Sequence, residues 1–287
     1  MLIMNKGKSI RTLLAVFAIL FIATTGCYEP SDTETFDKGD RVVVIEGKVA
    51  FLDSTSTVIV SRTVDATDTV DCEFIDNALV YLRDDNGNSA QLEYVGNGMY
   101  KTSQLEGQIG KSYLLTVDVD GERYSAIDKM PNQISIDSVL VEYQDSYTIF
   151  DTIGYYVSIF STRNADTLQY YRIEVERNGE KLDDYSNLWL FEDSHLTESF
   201  KMVIPQKFDV GDNVVVDVYS LSSNVYEYFS GLSKQFTTNF SNIQPPLTNP
   251  ETNIRPTALG CFQASSVVRV EIEIKEANSS VDMTFIP

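Results

Sequence analysis

The sequence predicts a mainly β protein, with an N-terminal immunoglobulin-like β-sandwich followed by a second β-rich domain that contains one short helix. Most of the chain consists of short runs rich in β-branched and aromatic residues, which favour strands. Asn-Gly and Asp-Gly pairs lie between several of these runs, and such pairs are strong signals of a β-hairpin. One stretch near the C-terminus has apolar residues at helical spacing instead.

The first domain is predicted to extend over residues 41–130. Its clearest turns are predicted at Asp84–Asn88, at Gly96–Gly98 and at the pair Asp120 and Gly121. Short strands that follow one another at this regular spacing favour an immunoglobulin-like sandwich. The predicted strands are 41–49, 57–63, 78–83, 90–94, 99–102, 112–119 and 122–126.

The second domain is predicted to extend over residues 131–287, because a new series of strands begins behind Pro131. A helix is predicted near 224–236, where Asn224 and Glu227 fit a capping box. Its apolar face suits packing against a core; the residues are Val225, Tyr228, Phe229, Leu232 and Phe236. The predicted strands are 136–143, 154–161, 169–177, 200–204, 213–220 and 268–274.

Residues 1–26 have the pattern of a lipoprotein signal peptide, and Cys27 is the predicted site of lipid attachment. Basic residues precede an apolar run over residues 13–23, which is shorter than the roughly 20 residues of a membrane-spanning helix. Acyl chains such as palmitate on Cys27 would anchor the protein stably. Thr24 stands where such signals usually carry Leu. The alternative is therefore a secreted protein in which Cys27 is incidental.

Residues 27–40 are predicted to form a flexible acidic tether between the lipid and the folded part. They lack apolar periodicity and are rich in acidic residues, Ser and Thr. The acids Glu29, Asp32 and Glu34 lie close behind Cys27. They are similar to the tags that direct lipoproteins to the cell surface, and a solvated acidic linker explains them equally well. We expect an outer-membrane, lipid-anchored protein that is exposed at the cell surface.

Charge argues against two classes of partner. The chain has 22 basic and 42 acidic residues, which gives a formal net charge of −20. Binding to nucleic acid depends on basic side chains, so a nucleic-acid partner is not expected. The same charge opposes docking to an anionic membrane surface, and the lipid on Cys27 is the predicted membrane contact. Cys72 and Cys261 would either pair in an oxidising compartment or remain as two free thiols.

The sequence predicts no enzyme and no cofactor, and it assigns no metal site; calcium at an unassigned acidic loop is left open. The chain has a single histidine, His195, in a polar stretch without a nucleophile motif around it, and we interpret it as an ordinary loop residue. The segment Asp84–Asn88 is somewhat similar to a calcium loop, but Val95 stands where such a loop has its twelfth-position Glu. A hairpin turn is the preferred interpretation of this segment.

Short segments from one end of the chain to the other carry a family resemblance. They are Cys27, 43–47, 77–82, 85–87, 98–100, 113–117, 121–124, 131–139 and 258–267. In this order they resemble Bacteroidota outer-membrane lipoproteins grouped as a domain of unknown function, DUF4249, in which an aromatic residue more often takes the place of Cys261. The family has no established catalytic residues. Its members look like companions of TonB-dependent receptors, which implies a surface lipoprotein that captures a ligand or caps a transporter.

These observations lead to one main functional hypothesis. The protein is expected to be a non-catalytic, ligand-binding or capping accessory of a TonB-dependent uptake system, with an unidentified ligand. The alternative is a structural or adhesive surface protein, such as a fimbrial subunit or a matrix-binding module. A hydrolase with two carboxylates is a third hypothesis, although no pair of acids stands out in so acidic a sequence.

Overall fold

The computed structural model describes residues 41–64, 72–145, 152–163, 168–182, 188–193, 198–237, 249–256, 258–276 and 283–286. The predicted signal peptide (1–26), the tether (27–40), Cys27 and His195 lie outside the described residues. The described part is mainly β with a helix near the C-terminus, as predicted. Residues 41–287 form one compact unit. Across the described ranges, no helix is both long and apolar enough to cross a membrane.

The strands follow one another closely along the chain. Up to residue 129 they are β1 (Val43–Ala50), β2 (Ser56–Arg62), β3 (Glu73–Phe74), β4 (Leu79–Asp84), β5 (Ser89–Gln91), β6 (Glu93–Gly96), β7 (Met99–Thr102), β8 (Ser112–Val119) and β9 (Glu122–Lys129). Next come β10 (Ile136–Gln144), β11 (Gly154–Thr162), β12 (Tyr170–Arg177), β13 (Glu180–Lys181), β14 (Trp189–Glu192), β15 (Ser199–Val203) and β16 (Asn213–Leu221). The chain closes with α1 (Ser223–Thr237), β17 (Ile254–Arg255), β18 (Leu259–Glu273) and β19 (Met283–Ile286).

One long sheet joins both halves of the chain. Its strand order is β13-β12-β16-β18-β1-β2-β7-β6, with β14, β19 and β3 paired alongside. Strand β18 makes the connection: its first part runs parallel to β1, and its later part is antiparallel to β16. Two further sheets have the orders β17-β9-β8-β4-β5 and β10-β11-β15. We call them the β4–β8–β9 sheet and the β10–β11–β15 sheet.

Each smaller sheet shares an apolar core with one part of the long sheet. The first core brings together β1, β2, β4, β8 and β18, through residues such as Ile45, Val58, Leu82, Leu115 and Phe262. The second brings together β11, β12, β15, β16 and β18, through residues such as Ile159, Ile173, Met202, Val216 and Val270. Strand β18 therefore contributes to both cores: its first part to the first core and its later part to the second.

The core residues change from the first cluster to the second between Met130 and Ile134. This change lies at the predicted domain boundary after residue 130. However, Ile254, Phe262 and Ala264 come from the predicted second domain and pack in the first core. The immunoglobulin-like topology and the two-domain division stay predictions.

The turns follow the sequence signals. Asp84–Asn88 is a hairpin turn between β4 and β5: the Asp84 carboxylate accepts hydrogen bonds from the backbone N–H and the side-chain amide of Asn88, both at 2.8 Å. Asp120 and Gly121 connect β8 to β9 with positive φ values of 52° and 83°. Such φ values favour Gly, Asn and Asp, which explains these residues at the turns.

Helix α1 is the predicted helix, but its capping residue differs from the prediction. The predicted cap was Asn224, whereas the Oγ atom of Ser222 accepts a hydrogen bond from the N–H of Val225 at 3.4 Å. Ser222 is therefore the N-cap. Val225 is fully buried, and Tyr228, Phe229 and Leu232 are half-buried, so these residues of the predicted apolar face pack inwards. The side chain of Phe236 lies outside the described residues.

Candidate functional site

The face of the long sheet that points away from the two cores carries the candidate site. Alternation along β1 sends Ile45 and Val49 into the first core and puts Glu46 and Lys48 on this outer face. The same alternation along β18 sends Phe262 into the core and leaves Cys261 outside it. We call this surface the helix-covered face, because α1 packs onto it.

Helix α1 is held on this face by a small apolar cluster of its own. Val225 packs with side chains of β16 and β18, namely Tyr219, Leu221, Cys261 and Val267. Burying an apolar side chain of this size contributes about 1.5–3 kcal/mol. The helix is thereby fixed over the middle of the sheet, and its next turn overhangs β1 and β12.

A groove lies between this overhang and the strands, with a volume of about 310 Å³. This is within the range of about 300–1,000 Å³ that is typical of small-molecule sites. Strands form its floor and α1 forms its wall. The lining residues are Glu46, Gly47, Lys48, Thr57, Ile59, Arg172, Tyr228, Phe229, Leu232, Cys261 and Gln263.

Arg172 of β12 is fixed between the helix and the sheet. Its guanidinium carbon lies 4.4 Å from the centroid of the Phe229 ring, which is a cation–π contact. Its Nη2 atom also lies 2.9 Å from Oε1 of Glu174, and the two side chains are only 14% and 12% exposed. Burial raises the pKa of Glu174, but attraction by Arg172, Lys48 and Lys181 outweighs it and holds that pKa below its usual range. Glu174 therefore stays ionised and neutralises the arginine.

Lys48 of β1 is held in a similar way. Its Nζ atom donates a hydrogen bond of 2.9 Å to the Tyr219 hydroxyl and lies 4.3 Å from the centroid of the same ring. The ammonium also lies 3.5 Å from Oδ2 of Asp53. Burial raises the pKa of Tyr219, and the nearby acid Glu174 raises it further, so the phenol stays protonated. Lys48 thus lies at the groove with its charge already balanced.

A third ion pair continues this row of charges along the helix-covered face. Arg269 of β18 donates two hydrogen bonds of 2.7 Å to the carboxylate of Asp217, directly opposite it on β16. Paired hydrogen bonds of this kind fix both side chains in one plane. The pair braces β16 against β18 next to the groove.

Asp128 connects the start of α1 to both sheets below it. This residue of β9 is 4% exposed, and its Oδ2 atom accepts a hydrogen bond of 2.7 Å from the N–H of Ala264 in β18. Burial raises the pKa of Asp128 to about 6, although hydrogen bonds from Ala264 and Ser222 favour the ionised form. Since Ser222 caps α1, one buried carboxylate holds β9, β18 and the helix start together.

A second cavity, of about 380 Å³, lies on the other side of α1. Its lining includes Glu227, Glu251 and Arg255, all of them exposed. Arg255 donates hydrogen bonds to the carbonyls of Thr252 and Ile254, which stabilise the segment before β17. The polar groups here hold a loop, and the more enclosed side chains of the groove make the groove the stronger candidate site.

The structure brings Cys261 to the groove and leaves Cys72 elsewhere. Both are free thiols, so of the two predicted alternatives the unpaired state is observed. Burial raises the pKa of Cys261, and the nearby Asp128 raises it further, so this thiol stays protonated and is a poor nucleophile. Among the residues that the structure describes, no group of three or more His, Cys, Asp or Glu side chains is arranged to hold a metal ion.

A family model described as a domain of unknown function (DUF4249) matches residues 28–271, which is well over half of the chain. A search of curated proteins found no match.

Proposed function

The chain therefore belongs to the DUF4249 family, and from this premise we propose that it is a cell-surface lipoprotein of the outer membrane that binds a ligand without catalysis. In this proposal the lipid on Cys27 anchors it, and it acts as an accessory of a TonB-dependent uptake system. A structural or adhesive surface protein is the alternative function.

The groove beside α1 is the observation that carries the proposal. Its floor consists of paired strands, and its wall is a helix fixed by a buried cluster. A site on such rigid elements is pre-organised, which lowers the entropy cost of binding. The two cations at the groove, Lys48 and Arg172, already contact acids, and Cys261 is held as a neutral thiol. This arrangement favours holding a ligand over activating a nucleophile.

Acyl labelling and affinity purification of the full-length protein from its native host test the proposal. We expect radiolabelled palmitate to be incorporated by the wild type and lost in Cys27→Ser. After extraction in mild detergent, we expect the wild type to co-purify with a large outer-membrane β-barrel receptor.

The matched control is Cys72→Ser, which we expect to leave labelling and co-purification unchanged. Labelling that survives in Cys27→Ser would contradict the anchor. Polymers of the chain itself, without a β-barrel partner, would favour the structural or adhesive alternative.

A further inference from the structure

We propose that the groove beside α1 binds a neutral saccharide of one or two rings; this rests on the proposed ligand-binding function and names its ligand class. The first step is the charge of the groove. Arg172 lies 2.9 Å from Glu174, and Lys48 lies 3.5 Å from Asp53, so both cations are balanced. Glu46 adds a carboxylate at the rim. A charged ligand would lose its hydration on entering the groove. The cations there are already paired with acids, so they would offset little of that cost, and binding of such a ligand is unfavourable.

The second step is the arrangement of polar and apolar groups. The strand floor offers polar side chains: the Thr57 hydroxyl can donate and accept, and the Gln263 amide, which is buried and already donates from Nε2 to the Ser265 hydroxyl at 2.8 Å, keeps its carbonyl oxygen as an acceptor. The helix wall is mainly apolar: Phe229 and Leu232 lie beside Tyr228, whose ring packs edge-on against Phe229. A sugar ring matches both surfaces, because its hydroxyls donate and accept around the rim while its C–H groups form an apolar face. An aliphatic ligand would leave the polar floor unpaired, which costs binding energy.

The third step is size and position. A volume of about 310 Å³ lies at the lower end of the range for small-ligand sites, which limits the ligand to one or two rings. Phe229 cannot turn freely, because the guanidinium of Arg172 lies over its ring at 4.4 Å. The aromatic wall is therefore in place before the ligand arrives, and the apolar face of the sugar would meet the part of the Phe229 ring that the Arg172 guanidinium leaves uncovered.

Saturation-transfer NMR with the full-length protein, in a detergent without a sugar headgroup, tests the assignment. The probes are maltose, cellobiose and N,N′-diacetylchitobiose, with citrate and the dipeptide Gly-Phe as charged comparators. We expect transfer to at least one of the saccharides and none to the comparators. Phe229→Leu should raise the Kd about tenfold or more, and Thr57→Val about two- to tenfold, as for one lost neutral hydrogen bond.

Two matched variants control for general damage. Phe160→Leu removes another half-buried ring that has a cation over it, Lys201 at 5.5 Å, and Thr116→Val changes a half-buried threonine on the β4–β8–β9 sheet. Neither should change the Kd. No transfer to any saccharide, or equal effects of the groove and control variants, would overturn the assignment. Binding of citrate or Gly-Phe that the groove variants weaken would overturn the ligand class and leave ligand binding intact.

Discussion

The outer face of the β4–β8–β9 sheet and the helix-covered face of the long sheet differ sharply, although both arise from the same alternating pattern. On the β4–β8–β9 sheet, Leu79, Tyr81 and Ile127 are exposed, and Arg123 of its main ion pair is 72% exposed. On the helix-covered face, Arg172 and Glu174 are largely buried, and a groove opens beside them. One face is solvated and the other forms a site.

The path of the chain causes this difference. Helix α1 follows β16 directly, and β18 returns beside β16 after it, so the helix must cross the outer face of the sheet that these strands form. In the β4–β8–β9 sheet, β4 leads to β5 and β8 leads to β9 through tight turns, so in the described part of the chain no helix follows these strands over their outer face. Alternation thus determines which side chains share a face, and the connections determine whether that face becomes a site.

Of the substitutions that compare the two sheets, Gly260→Ala should lower the free energy of unfolding most. Gly260 has a φ of +92°, and an added Cβ would lie 2.1 Å from the carbonyl oxygen of Ile45, in the neighbouring strand β1. We expect a loss of about 4 kcal/mol or more in the free energy of unfolding, because the parallel pairing of β1 and β18 must separate. Chemical denaturation monitored by circular dichroism measures this loss.

Gly121→Ala is the matched control in the β8–β9 hairpin. Gly121 has a similar φ of +83°, but an added Cβ would meet nothing within 4 Å. Only the backbone strain remains, which costs about 1–2 kcal/mol. Equal losses for the two variants would show that strain alone matters and that the close approach of β18 to β1 does not.

The predictable part of the fold is the local part. The hairpins at Asp84–Asn88 and at Asp120 and Gly121 depend on residues that adopt unusual φ values, so a few positions predict them. The start of α1 was less predictable because Ser222, Ser223 and Asn224 are all good caps. In the structure Ser222 is the cap, and its side chain also hydrogen bonds to Asp128, which is distant along the chain.

The site depends on contacts that a sequence pattern does not contain. The first part of β18 was not predicted as a strand, because residues 260–268 are buried on both faces of the sheet, so apolar and polar residues do not alternate in this stretch. Its partner β1 is also about two hundred residues away along the chain. Lys48, Arg172 and Phe229 are equally dispersed, and each alone is an ordinary strand or helix residue. The one signal in this stretch is that the charged residues Arg172 and Glu174 stand two positions apart in β12, which indicates that the outer face of this strand is polar.

Asp128→Asn should have the next largest effect, which is a change in how the stability of the fold depends on pH. The folded-state pKa of about 6 is above the ordinary value of 3.8, so the carboxyl stabilises the fold fully below pH 4. This stabilisation is lost as the pH rises through 6, by roughly 3 kcal/mol at about 1.4 kcal/mol per pKa unit. Between pH 4 and 7.5, wild-type stability should therefore fall more steeply than that of Asp128→Asn. Denaturation at several pH values measures both slopes, and parallel slopes would show that burial in the fold does not raise the pKa of Asp128.

Asp217→Asn and Asp118→Asn give the smallest and most direct comparison of the two faces. Both carboxylates accept paired arginine hydrogen bonds, at 2.7 and 2.7 Å from Arg269 on the helix-covered face and at 2.6 and 2.8 Å from Arg123 on the β4–β8–β9 sheet. Arg269 is 36% exposed and Arg123 is 72% exposed, so water screens the second pair more strongly. We expect a loss of about 1–2 kcal/mol for Asp217→Asn and less than about 0.5 kcal/mol for Asp118→Asn, by chemical denaturation. Equal losses would mean that the geometry of an ion pair, and not its exposure to water, determines its contribution.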